Sequence, residues 1–253
     1  MSPSKEFEDR IAWISGAASG IGRSTARLLA QSGAHLALID IHAEGVESLA
    51  AELRAAGAQA RAWQADLSDA SVVELTVNAV VSAFGGLHLA VNNAGISGTR
   101  VPLVDQPLAD WHRVIDVNLN SVFYAMKYQI PHLLQDSNGG AIVNIASVLS
   151  QVGSALSPAY TAAKHAVLGL TRSAALAYAA QGLRINAVGP GYIDTPLLNV
   201  LTAGEREAIA GAHPAARLGQ PEEIAHAIAF LLSPRASFSV GSLLMADGGF
   251  TIR

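Results

Sequence analysis

Tyr160 and Lys164 stand four residues apart in a stretch, 158–181, whose apolar spacing predicts a helix, so their side chains share one face. A free phenol ionises near pH ~10, too high for a base at neutral pH, and a neighbouring ammonium favours the phenolate and lowers that value. Each pKa unit is worth about 1.4 kcal/mol, so a lowering of roughly two to three units asks for about 3–4 kcal/mol, within reach of a partly desolvated pocket. Ser147 follows the apolar run 141–146 and precedes Tyr160 by 13 residues, a loop able to bring its hydroxyl beside the phenol and let it donate to a substrate oxygen. Singly, each has an ordinary reading: an amphipathic Tyr/Lys pair on a surface helix, and a turn or cap serine.

A second group of residues suits a nucleotide. The run 11–15 passes directly into Ser15-Gly16-Ala17-Ala18-Ser19-Gly20-Ile21-Gly22 and then into a helical stretch. Glycines there permit backbone conformations that a Cβ forbids, and let the N–H groups at a helix start approach a pyrophosphate. Ala18 occupies the second glycine of the usual G-x-G-x-x-G fingerprint, which leaves G-x-x-x-G-x-G, a loop that serves equally well to pack a helix closely. Asp40 ends the next apolar run about twenty residues on, where a carboxylate accepts hydrogen bonds from an adenosine ribose and repels a 2′-phosphate. No Arg or Lys follows Asp40, and Ser19 fills a loop position where a cation could have met that phosphate, so NAD is the cofactor expected. The other reading of Asp40 is a solvated strand end or the cap of the following helix.

The elements that must position these residues show in the hydrophobic pattern. Short runs, apolar throughout, fall at 11–15, 35–40, 87–91, 141–146, 183–188 and 242–245, with a weaker one at 59–65. Between them lie amphipathic stretches at 20–32, 42–56, 69–84, 108–135, 158–181 and 221–232, the last opening on Pro221-Glu222-Glu223. Strands apolar on both faces belong to a parallel sheet covered on both sides, so the fold class expected is α/β, a doubly wound, Rossmann-like, mostly parallel sheet. Met245, in the last run, is expected in the core. No linker, repeat or low-complexity tract divides the chain, so 1–253 is read as a single dinucleotide-binding and catalytic domain.

Composition narrows the function further. With 51% hydrophobic and 14% charged residues, the chain is no disordered segment. A net charge of -4 offers no field for nucleic acid or anionic lipid, and no apolar run approaches the roughly 18 residues of a membrane span. Neither nucleic acid nor membrane is an expected partner, and the polar first ten residues lead us to expect a cytoplasmic protein. There is no cysteine and no H-E-x-x-H among the eight histidines, so no metal is expected.

In order along the whole chain stand Gly16-x-x-x-Gly20-x-Gly22, Asp66, Asn92-Asn93-Ala94-Gly95, Asn118, Ser147, Tyr160-x-x-x-Lys164, and Pro190-Gly191 with Thr195. In this the sequence resembles the short-chain dehydrogenase/reductase family, in its subgroup of roughly 250 residues. Ser15 departs from it, standing where threonine is commoner. The resemblance implies that Tyr160 is the acid/base, that Ser147 polarises the carbonyl or alcohol, and that Lys164 also holds the nicotinamide ribose. It implies that Asn118 helps organise a water relay to that lysine. Cofactor contacts are expected from Gly16, Ser19, Gly20, Ile21, Gly22, Asp40, Ile41, Asp66, Leu67, Asn93, Ala94 and Gly95, then from Tyr160, Lys164, Pro190, Gly191, Ile193 and Thr195.

The activity so implied is NAD-dependent interconversion of a secondary alcohol and a ketone by hydride transfer, in a homotetramer. The alternatives are reduction of an acyl-carrier-bound 3-ketone, and a catalytically silent NAD-binding redox sensor. Residues 191–215 resemble the family's mobile lid, and substrate contacts are expected from Ser147, Leu149, Tyr160 and Tyr192. The lid's apolar start, with Asp194 the only charge between Tyr192 and Leu201, favours an uncharged, largely hydrophobic or cyclic alcohol. Arg100 is the cation that could answer an anionic substrate, or it is simply solvated.

Overall fold

The strands pair because each presents apolar side chains to both faces. In the computed structural model, which describes residues 5–252, these are β1 (Ile11–Ser15), β2 (His35–Asp40), β3 (Ala60–Gln64), β4 (Leu89–Asn92), β5 (Ala141–Ile145), β6 (Arg184–Pro190) and β7 (Leu243–Ala246). Residues 1–4 and 253, the ends of the expected 1–253 domain, lie outside the described residues. The sheet order is β3-β2-β1-β4-β5-β6-β7 and every pairing is parallel. Within β1, Ala12 and Ile14 enter one apolar layer while Ile11 and Trp13 enter the other, as the two-residue period of a strand requires.

Helices cover both layers. On one side lie α1 (Gly20–Gln31), α2 (Ala43–Ala55) and α8 (Pro221–Leu232), contributing Leu29, Leu49 and Ile228. On the other lie α3 (Ala70–Phe84), α5 (Ser121–Leu133) and α6 (Pro158–Tyr178), contributing Val77, Met126 and Val167. Burying one such side chain contributes about 1.5–3 kcal/mol. Among the described residues no helix is long and apolar enough to cross a membrane.

Three elements differ from the sequence expectation. The stretch 108–135 is not one regular helix: α4 (Leu108–Ile115) passes through a π-helical turn, Asp116–Asn120, before α5. Within residues 191–215, expected as a lid, a short helix, α7 (Ala203–Gly211), starts on a reciprocal cap in which Thr202 Oγ1 accepts from Glu205 N and the Glu205 carboxylate accepts from Thr202 N. Met245 is half-buried rather than core, because β7 is an edge strand with a neighbour on one side only.

The order of the strands decides where a ligand fits. The chain leaves β3 at one edge and returns to β4 on the opposite side of β1, so the loops after β1 and β4 diverge and open a crevice at the carboxyl ends of the strands.

Candidate active site

At the first of these loops, Ser19 precedes α1 with extended backbone and makes no side-chain cap, and the first turn holds no acidic residue. Its N–H groups are thus directed at the crevice with no side chain competing for them. Gly16 has φ of 64°, and a Cβ there would stand 2.7 Å from Asn93 Nδ2; at Gly22 it would stand 2.1 Å from the Gly16 carbonyl oxygen. Loop and helix can approach as they do only without those side chains, and the resulting cradle suits a pyrophosphate. Ser15 ties it to the second loop: its Oγ accepts from Asn93 N at 2.9 Å and Ala94 N at 3.1 Å, and Asn93 Nδ2 donates to Ser15 O at 2.9 Å. A serine does here what a threonine hydroxyl would.

Asp40 lies beside the cradle, nearly buried, its carboxylate accepting from Ala18 N at 2.9 Å and His42 N at 3.0 Å. It thus braces the loop and the approach to α2 at once, and half-exposed Ile41 follows it. Tertiary structure also brings a cation that sequence order hides: Arg23 Nη1 lies 3.4 Å from Ala18 O. Glu52 on α2 engages both Arg23, at 2.8 Å, and Arg27, at 2.7 Å, and these two guanidiniums hold its carboxyl down at about 2. Asp66, at the end of β3, accepts from Ser68 N and Oγ, whereas the Leu67 side chain is buried in the apolar layer.

Ser147, Tyr160 and Lys164 meet further along the crevice. Ser147 leaves β5 as the cap of a tight turn, Val148–Ser150, its Oγ accepting from Leu149 N at 3.1 Å, and it lies close enough to the Tyr160 hydroxyl to act on the charge of that phenol. Ser150 Oγ donates to Lys164 O at 2.7 Å, clamping that turn to α6. Lys164 is buried, its Nζ donating to Ile145 O at 2.7 Å and lying 5.6 Å from the centroid of the Tyr160 ring. Burial pushes the Tyr160 phenol up to about 12, Ser147 opposing the shift, and pushes the Lys164 ammonium down to about 8. The sequence expectation of a lowered phenol is thus corrected: in the protein by itself desolvation outweighs the ammonium, which engages a carbonyl and the ring face.

Asn118 occupies the π-helical turn, fully buried, and its amide is spent on one backbone residue: Oδ1 accepts from Ile96 N at 2.7 Å and Nδ2 donates to Ile96 O at 2.8 Å. Its side chain therefore fixes the segment after Gly95.

One cavity collects much of the expected set. It is lined by Ile21, Asn93, Gly95, Ser147, Leu149, Tyr160, Lys164, Pro190, Gly191, Tyr192, Ile193 and Thr195. Asp40, Ile41, Asp66 and Leu67 do not line it, nor do Gly16, Ser19, Gly20, Gly22 and Ala94, which build the cradle side of the crevice. Lining residues that the sequence reading missed include Ser97, Ser157 and Ile209; Ile209 was hidden because α7 itself was not foreseen. Tyr192 is fixed by His213, whose Nε2 accepts from Tyr192 N at 3.2 Å while its Nδ1 faces Ile209 O at 2.8 Å, and whose ring packs against Tyr192 and Phe250. Arg100 lines the cavity and is not free in solvent: its Nη1 pairs with Glu205 Oε1 at 2.5 Å. Among the described residues no three His, Asp or Glu side chains gather as a metal site.

A nucleotide cradle at the switch point of a parallel sheet, continuous with a Ser/Tyr/Lys group whose serine and lysine are buried, is the architecture of a dinucleotide-dependent oxidoreductase. Residues 16–251 match a family model described as enoyl-(acyl carrier protein) reductase. The cyclohexanol dehydrogenase of Acinetobacter sp. (strain SE19) is 47% identical over 248 residues, covering 98% of this chain and 97% of its own. The cis-4-hydroxycyclohexanecarboxylate dehydrogenase of Sinomonas cyclohexanicum is 46% identical over 245 residues, covering 97% and 98%. The crystal structure of levodione reductase matches with a TM-score of 0.91 at 37% identity, over 96% of this chain and 98% of that one. The chain belongs to the short-chain dehydrogenase/reductase family.

Proposed function

We propose that this protein is an NAD-dependent dehydrogenase that interconverts an uncharged cyclic secondary alcohol and its ketone. The observation that carries the reading is the Ser147 and Tyr160 side chains together, with buried Lys164 beside the Tyr160 ring, in a cavity otherwise lined largely by apolar residues and no carboxylate. The relatives that act on cyclohexanol and on a hydroxycyclohexanecarboxylate support a ring alcohol as the substrate.

When bound, the nicotinamide cofactor takes up or gives back the hydride. Gly16 to Gly22 and the first turn of α1 would hold its pyrophosphate, Asp40 its adenosine ribose, and Asn93, Lys164 and Thr195 its nicotinamide half. A substrate hydroxyl placed between Ser147 and Tyr160 accepts from Ser147 Oγ and gives its proton to the Tyr160 oxygen; in the ketone direction Ser147 still donates to the substrate oxygen and Tyr160 returns the proton. The Lys164 charge stabilises the phenolate that this transfer needs. Ser147 is doubly constrained, by its turn and by Leu149 N, so its hydroxyl is positioned before substrate arrives.

The preference for NAD follows from charge. Asp40 holds a carboxylate beside the cradle, and Arg23, the cation close to that loop, is engaged by Glu52. With this reading go one domain with a lid at 191–215, a homotetramer, and a cytoplasmic enzyme without nucleic acid or membrane partners, in keeping with a net charge of -4.

The test is turnover of cyclohexanol by the purified protein with NAD⁺ and with NADP⁺, followed by absorbance of the reduced cofactor. Turnover with kcat/KM at least about tenfold higher for NAD⁺ is expected. Equal use of both cofactors rejects the Asp40 assignment, and inert protein across a panel of ring alcohols, with cofactor still bound, rejects the activity.

A further inference from the structure

Two cations line the cavity, Lys164 and Arg100, and neither stands unpaired. Lys164 is buried and committed to Ile145 O. Arg100 lies on the segment between β4 and α4, and the carboxylate it meets belongs to Glu205 on α7, a residue that does not itself line the cavity. The pair therefore bridges the crevice side of the cavity to the lid. Glu205 is held from its own side as well, its Oε2 accepting from Thr202 N at 2.8 Å and Thr202 Oγ1 at 3.0 Å. These bonds together with Arg100 hold its carboxyl down at about 2, so it is an anion at any working pH. A second ion pair, Arg206 with Asp194, ties α7 to the chain just after Tyr192. Arg100 is close enough to the Tyr192 phenol for its charge to oppose the upward push of burial there.

We propose that Glu205 determines substrate charge: by pairing with Arg100 it cancels the one cation at the cavity wall able to receive an anionic substituent, so that the site selects neutral ring alcohols. The inference rests on the secondary-alcohol reading above and refines it. A substrate carboxylate has to displace Glu205 from Arg100, exchanging one carboxylate for another while losing its own hydration; a neutral ring has no such cost. Selectivity of this kind comes from a group placed against the wrong ligand as much as from contacts to the right one.

Glu205→Gln removes the charge and keeps a residue able to complete the cap with Thr202. The assay compares cyclohexanol with 4-hydroxycyclohexanecarboxylate at low and high salt, together with the affinity of cyclohexanecarboxylate for the cofactor-saturated protein. In Glu205→Gln, kcat/KM for the hydroxy acid is expected to rise about tenfold, through KM, with cyclohexanol changed less than about threefold. The gain shrinks at high salt and disappears in Arg100→Gln/Glu205→Gln. Arg100→Gln alone, which leaves the Glu205 charge behind the cavity wall without its cation, lowers hydroxy-acid turnover below that of the unsubstituted protein. Cyclohexanecarboxylate binds about tenfold tighter to Glu205→Gln whether or not either alcohol is turned over. That tightening in a protein inert to both alcohols retains the charge selection and rejects the dehydrogenase reading. Cyclohexanol turnover with no change in carboxylate use or binding, or a gain that survives loss of Arg100, overturns the role of Glu205.

Discussion

Burial works against charge on both members of the proposed proton-transfer pair, pushing the Tyr160 phenol up to about 12 and the Lys164 ammonium down to about 8. Tyr160→Phe keeps the ring and removes only the transferable proton, so kcat is expected to fall by about 10²–10⁴, with cofactor affinity, measured by fluorescence titration, nearly unchanged. Alcohol oxidation draws on the phenolate, so its kcat is expected to rise from pH 6 toward 10; a level profile with chemistry limiting would assign the base elsewhere. Lys164 carries a stability cost of definite sign. Its folded pKa lies below the usual 10.5, so between about 8 and 10.5 the unfolded chain binds more protons and stability rises with pH. Lys164→Met removes the buried charge at the loss of the bond to Ile145 O. A net gain of about 1 kcal/mol at pH 7, a rise in Tm of roughly 2–4 °C, is expected together with loss of turnover. Calorimetry should find that gain shrinking as pH approaches 10.

The π-helical turn between α4 and α5 shows how an element sets a site without touching the substrate. It packs against α6, which carries Tyr160 and Lys164, and it turns Asn118 inward to pair both amide groups with Ile96. Asn118→Ala would strand the Ile96 N–H and C=O in a partly buried place, at a cost of about 2 kcal/mol. We expect Tm to drop by roughly 5–10 °C by calorimetry, and kcat to fall with it as the segment beyond Gly95 loosens. An unaltered Tm would mean that Ile96 finds other partners.

At the scale of the molecule one part of the exposed apolar surface lies around β7 and the elements flanking it. β7 is an edge strand of half-buried residues, and Phe230, Phe238 and Val240 beside it in the chain are exposed. Most of α8 is spent within the chain, on α1, so only Phe230 and its neighbours remain for a partner. An open edge with exposed aromatics is a surface for self-association. Light scattering at micromolar concentration is expected to give about four times the 26.1 kDa chain mass, and Phe238→Glu a smaller species. A mass of one chain rejects the homotetramer.

What the sequence determined by itself is what local rules encode. Continuous apolar runs located the strands within a few residues, because a strand buried on both faces needs apolar side chains at every position. The loop at Gly16 to Gly22 was readable because a missing Cβ is a local steric fact, and the Tyr160/Lys164 pair because helical spacing puts both on one face. Tertiary structure decided the electrostatics. Arg100 meets Glu205 across 105 residues, Arg23 meets Glu52 across 29, and Asn118 meets Ile96 across 22; no periodicity announces such partners. The direction of the Tyr160 shift and the exposure of Met245 depended on how much of each side chain the fold leaves to water. Burial is a sum over neighbours distant in sequence, so a motif names the groups that can react while only their packing sets the charge each one carries.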